Sequence, residues 1–172
     1  LEVYRLTLVI QSPEIWLSKY QMVESIFRLF SLCSDNGPVC EKEDDVQISI
    51  VSDSHDNIWN LEASLALMSV ADATIHCGDL CSPFMLERLA RMLDSIPIHV
   101  VWGNNEGDMR LISQVADEYQ HVKIHGAFAS LELDGLRVAV NHYPDIARPI
   151  ASSGEYDVVC YGHDHTAHHS KV

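Results

Sequence analysis

From Val46 onward the chain alternates short β-branched runs with longer amphipathic stretches, a rhythm that few architectures accept. "VQISIV" (46–51) reads as a buried strand. "NIWNLEASLALMSV" (57–70) reads as a helix with Ile58, Leu61, Leu65 and Met68 on one face. "ATIHC" (73–77) is the next strand, and Pro83 opens a helix carrying Met85, Leu86, Leu89 and Leu93. "IHVVW" (98–102) and a helical pattern over 108–119 complete a third such unit. Strand–helix–strand units with right-handed crossovers build a parallel sheet, so the fold class is α/β. The rhythm then changes. "AFASLELDGLRVAVNH" (127–142) sets two strands about Asp134-Gly135, a hairpin signal, and "YDVVCY" (156–161) adds one more strand.

The first 45 residues differ in character. Residues 1–10 alternate weakly and read as a strand. Ser12-Pro13 reads as an N-cap with proline at the first helical position, followed by Ile15, Tyr20, Val23, Ile26, Phe27 and Phe30 at helical spacing. The Gly-, Pro- and acid-rich stretch 31–45 reads as a linker. The expected organisation is an appendage over 1–45 and a body over 46–172.

A formal charge of −14 argues against an extended nucleic-acid face, because such affinity comes mainly from Lys and Arg neutralising phosphates. The five cysteines (Cys33, Cys40, Cys77, Cys81, Cys160) form no zinc-type CxxC pair and read as reduced, packed thiols. No uncharged stretch approaches the roughly 20 residues of a membrane helix, and "LEVYRLTLVI" lacks the pattern of a signal peptide. The expectation is a soluble cytoplasmic chain of undetermined oligomeric state.

The chemistry lies at the strand ends. "QISIVSDSH" ends in Asp53 and His55, "TIHCGD" in Asp79, "HVVWGN" in Asn104, "LRVAVNH" in His142, and "DVVCYGHDH" in His163 and His165. Ligands of open parallel sheets bind beyond the carboxyl ends of the strands. Gly78, Gly103 and Gly162 each precede one of these residues and permit close backbone approach. Imidazole and carboxylate donors suit Zn, Fe or Mn, and the set is too large for one ion with an open position. It is large enough for two ions sharing a carboxylate, the arrangement that clamps an in-line displacement at phosphorus.

The ordered segments "SDSHDN", "CGD", "GNNE", "NH" and "GHDH" resemble the calcineurin-like metallophosphoesterase superfamily, especially its small bacterial and archaeal phosphodiesterase branch. The resemblance implies a four-layer sandwich, two mixed β-sheets packed face to face with helices outside. It implies one divalent ion on Asp53, His55 and His165, a second on Asn104, His142 and His163, and Asp79 bridging them. The implied ions are Mn, Fe, Zn or Ni, with Mn the first choice. The implied reaction is phosphoester hydrolysis, more specifically of a small phosphodiester, by a hydroxide held between the ions. Asn104 is then expected to steady the developing charge, and His142 or water to protonate the leaving group. Two positions depart from the family pattern: Asn105 stands where many members have histidine, and Tyr143 where they usually have glycine. The chain also stops soon after His165, where relatives commonly continue, so a C-terminal truncation or a different finish to the second sheet is expected. The alternatives are a noncatalytic scaffold like the retromer subunit of this fold, or a nuclease.

Other residues carry weaker expectations. Asn105, Glu106 and Asp164 are candidates for supporting the metal ligands, and Arg110 and Arg148 for meeting substrate phosphate. His76 and His99 read as core or sheet-face histidines, His121 and His125 as surface, and His168 and His169 as exposed.

Overall fold

A computed structural model describes residues 4–7, 46–166 and 168–171. The helix expected after Ser12-Pro13 and the linker over 31–45 lie outside the described residues. Four strands, β2 (Ile48–Val51), β3 (Ala73–His76), β4 (Ile98–Val100) and β5 (Val122–Ile124), form a sheet in that order, parallel throughout. Helices α1 (Ile58–Met68), α2 (Pro83–Met92) and α3 (Met109–Asp117) make its crossovers.

The second sheet is mixed. Its order is β6 (Phe128–Leu133), β7 (Leu136–Asn141), β8 (Val158–Cys160), β1 (Tyr4–Thr7) and β9 (His168–Lys171). Strands β6 and β7 form the expected hairpin, with Asp134 and Gly135 both at positive φ (49° and 78°), the turn geometry that suits strand twist. Strand β1 lies parallel to β8 and antiparallel to β9.

Period-two patterning fixes which side each residue serves. Val138, Val140, Val158 and Cys160 face inward and meet Ile48, Ile50, Ile75 and Cys77 of the parallel sheet, closing a dry core between the sheets. Ala139 and Val159 face outward and pack beneath Ala147 and Ala151 of α4 (Pro144–Ser153), together with Tyr161. On the far side, Val51, Ile98, Val100 and Val122 pack against Leu61, Met68, Leu86, Leu89 and Ile112 of α1–α3. The layers therefore run helix, sheet, sheet, helix. The sequence pattern did not reveal α4, which carries Pro149 in its interior. The strand β9 beyond His165 was also not anticipated.

Candidate metal centre

The loops leaving β2, β3, β4, β7 and β8 converge at one end of the sandwich. Backbone bonds tie them together: Asp53 N–H donates to Gly78 O (3.0 Å), and His55 N–H to Asp79 O (3.1 Å). Asp53, His55, Asp79, His163 and His165 all hold positive φ, between 41° and 78°. Such left-handed backbone costs a non-glycine residue roughly 1–2 kcal/mol, so the cross-ties hold a strained rim whose side chains are aimed inward. Alternate residues of an extended segment would share one face, which would point His163 and His165 the same way. Their left-handed φ values (78° and 51°) correct this, and the two rings part company. His163 Nδ1 lies 3.2 Å from His142 Nε2, while His165 Nε2 lies 3.1 Å from His55 Nε2.

Three of the glycines are sterically required, Gly103 among them, where a Cβ would collide with the backbone N and the Oδ1 of Asp79. A Cβ on Gly78 (φ 101°) would sit 2.7 Å from both Gly103 N and His142 Nδ1, and one on Gly162 would collide with Ser52 and Asp53. The glycines let the loops approach closely enough for the donors to meet.

The donors fall into two groups. In the first, His165 Nε2 is 3.3 Å and His55 Nε2 3.8 Å from Asp53 Oδ1, and His55 Nε2 is 3.5 Å from Asp79 Oδ2. In the second, His142 Nε2 is 3.5 Å from Asp79 Oδ1 and 3.0 Å from Asn104 Oδ1, which itself lies 2.9 Å from His163 Nδ1. Asp79 faces both groups, one oxygen to each. Two triads, Asp53/His55/His165 and Asp53/Asp79/His142, bring a ligand atom apiece within 4.8 Å of one another.

These spacings fit a divalent cation. Ligand atoms about 2.0–2.2 Å from one ion stand about 3.0–3.5 Å apart, close to the spacings seen here. Two further observations agree. Asp53 Oδ1 is buried without a hydrogen-bond partner, although Asp53 Oδ2 accepts from His163 N–H (3.0 Å). His142 Nδ1–H donates to the Cys77 carbonyl (2.8 Å), which fixes the tautomer and turns the Nε2 lone pair toward Asp79 and Asn104. A lone pair facing acceptor oxygens is repulsive until a cation lies between them.

Supporting contacts set the electrostatics. Burial raises the Asp79 carboxyl pKa, but the Asn105 backbone and side-chain N–H groups (2.8 and 2.9 Å), with His142 and His55 nearby, hold it below its ordinary value. Glu106 accepts from the backbone N–H groups of Asp79 and Gly103 (both 2.8 Å) and of Cys81 (2.9 Å), pinning two loops with one carboxylate. Asp164 is exposed and accepts from Thr166 N–H (3.4 Å). Arg110, in the first turn of α3, and Arg148, within α4, are exposed.

Sequence matching agrees with this geometry. Residues 46–172 match the family model of the calcineurin-like phosphoesterase superfamily domain. The chain belongs to that superfamily. It is 29% identical over 124 residues to a phosphodiesterase of Methanocaldococcus jannaschii, covering 70% of this chain and 74% of that one. It is also similar to the solved structure of a novel archaeal phosphodiesterase, at 31% identity and a TM-score of 0.58, covering 67% of this chain and 72% of the other.

Several features of this phosphoesterase were not visible in the residue pattern. Tyr143 packs edge-on against the rings of His142 and His163 (centroids 5.0 and 5.2 Å apart). Cys81 Sγ lies 3.6 Å from His55 Nδ1. Its thiol is pushed up to about 12 by burial and then by Asp56, Glu106, Asp79 and Asp53. Cys77, Cys81 and Cys160 are free thiols, in keeping with the packing expectation. His76 is buried: its Nδ1 accepts from Gly78 N–H (3.2 Å) and its Nε2 meets Ser54 Oγ (3.1 Å). His121 and His125, expected at the surface, are half-buried. His121 Nε2–H donates to Ala90 O (3.1 Å), and His125 Nε2 meets His99 Nδ1 (2.9 Å). The side chains of His168 and His169 lie outside the described residues.

Proposed function

We propose that this chain is a dinuclear metal-dependent phosphodiesterase. The observation that carries the reading is the division of donors about Asp79, one oxygen toward His55 and the other toward His142. Asp53, His55 and His165 with Asp79 would hold one divalent ion; Asn104, His142 and His163 with Asp79 would hold the other. The seven filled donor positions speak against a noncatalytic scaffold. When bound, such ions supply the Lewis acidity that activates water at neutral pH and draws charge from phosphoryl oxygens.

The residues then have separable tasks. Asp79 separates the two donor groups and Asn105 holds its carboxylate in orientation through two hydrogen bonds. Asn104 presents its amide on the exposed side of the second group, in position to face a developing negative charge. The ring nitrogens of His142 are both engaged, Nδ1 by Cys77 and Nε2 by the donor group, so water is assigned the leaving-group proton. Mn is the ion proposed first. The match beginning at residue 46 supports reading Val46 as the start of the catalytic domain, with strand β1 as an addition to its second sheet. Free thiols at Cys77, Cys81 and Cys160 support a cytoplasmic location.

Hydrolysis of bis-para-nitrophenyl phosphate tests the reading. We expect turnover with Mn²⁺ that chelator abolishes and that exceeds turnover of the monoester. A folded, metal-loaded protein inert with Mn, Fe, Zn and Ni would overturn it.

A further inference from the structure

Seven large apolar side chains are exposed among the described residues, and six of them sit at one end of the molecule. Trp59, Phe84, Met109 and Leu111 lie in the first turns of α1, α2 and α3, which rise from the loops carrying Asp53, Asp79 and Asn104. Ile146 lies in the first turn of α4, just after His142. Phe128 pairs with Asn141 at the strand end that delivers His142. Only Val70 lies elsewhere, beyond the C-terminus of α1. Scattered surface hydrophobes need no explanation; a collar around a polar centre does.

Trp59 and Phe84 are the best placed. They are 74% and 48% exposed, high values for aromatic rings on a chain this charged. Helices α1 and α2 return from neighbouring parallel strands and therefore run in the same direction. Arg88 of α2 pairs with Glu62 of α1. One turn nearer the N-terminus from that pair stand Trp59 (three residues before Glu62) and Phe84 (four before Arg88), in corresponding positions on the two adjacent helices. The loops beneath them are locked: Ser82 Oγ–H donates to Asp56 Oδ2 (2.5 Å), and Cys81 touches His55. The apolar pair thus stands on the helices that start directly after the loops bearing His55 and Asp79.

Charge decides between occupants. At −14, the chain repels polyanions and anionic lipid surfaces alike. We propose that the substrate is a singly anionic phosphodiester with a bulky apolar ester group, aryl or long alkyl, which rests on Trp59 and Phe84 while the phosphate meets the donor cluster. This deepens the phosphodiesterase reading and rests on it.

The test holds the leaving group constant. Para-nitrophenyl methyl phosphate and para-nitrophenyl octyl phosphate are compared with the Mn²⁺-loaded full chain. The octyl ester is expected to have about tenfold higher kcat/KM, carried by KM, as burial of about two methylenes provides. The octyl-to-methyl ratio should fall to about one in the Trp59→Ser/Phe84→Ser variant at unchanged metal content. Equal rates for the two esters, or a preference that survives the double substitution, overturns the proposal. If neither ester turns over, binding of octyl phosphate and methyl phosphate decides the question separately. Tighter octyl binding lost in the variant upholds the collar while the phosphodiesterase reading fails; equal binding overturns the collar. A dimer in sedimentation that the double substitution dissociates, with no octyl preference, makes the collar a contact between copies and also overturns the proposal.

Discussion

Glu106 is the residue on which most of the rim's backbone depends. Its carboxylate receives three backbone N–H groups from the loops after β3 and β4, and charge-assisted bonds of this kind contribute about 1.5–3 kcal/mol each at most. Glu106→Ala is expected to lower unfolding free energy by about 3 kcal/mol in urea titration and to weaken metal binding about 10- to 100-fold through Asp79. A change under about 0.5 kcal/mol would show that the staple is dispensable. Gly162→Ala pushes a methyl into Ser52 and Asp53, and we expect a loss of about 1–3 kcal/mol, read as a lower urea midpoint. The seven side chains that meet at the rim could be singled out in the sequence because each follows an apolar run with a residue type rare in that setting. Their supports could not. Glu106 acts on backbone N–H groups, and His142 is oriented by the Cys77 carbonyl, so neither leaves a residue-type signature.

Among the elements, the βαβ units were recoverable because β-branched runs and 3.6-residue periodicity are strong local signals. Helix α4 was not, because Pro149 stands inside it and proline there removes a backbone bond and crowds the preceding turn. Packing of Ala147 and Ala151 on Ala139 and Val159 outweighs that penalty. Pro149 is exposed, so Pro149→Ala should restore the bond without loss of packing, stabilising the fold by about 1–3 kcal/mol in urea titration. An unchanged or lower midpoint would mean that α4 is already fully adapted to its proline. The exposed Arg137–Asp157 clamp between the starts of β7 and β8 has good geometry (2.9 and 3.0 Å) but is solvent-screened, and Asp157→Asn should change stability by at most about 1 kcal/mol.

Acid sensitivity belongs to the whole molecule. Burial holds the His76 pKa at about 4, and burial with His99 and Lys123 nearby holds the half-buried His125 at about 4 as well. Each folded value lies below the ordinary 6.5, so the unfolded chain takes up protons first as pH falls. Stability is full above about pH 6.5 and declines toward pH 4, by about 3 kcal/mol for His76 alone. Urea titrations of the chelator-treated protein at both ends of that window should show the decline, and His76→Gln should make it shallower, leaving the His125 share; a slope unchanged by His76→Gln would mean that His76 is not held neutral.

The two-sheet plan came from the family resemblance that the ordered strand-end motifs carry, whereas the apolar collar needed the helices placed side by side. The most direct test of the whole is anomalous diffraction from a Mn²⁺-loaded crystal. Two adjacent peaks are expected, about 3.5–4 Å apart, with Asp79 between them, His55 and His165 on one and His142 and His163 on the other. No peak, or a single peak with Asn104 and His163 turned away, would contradict the paired centre.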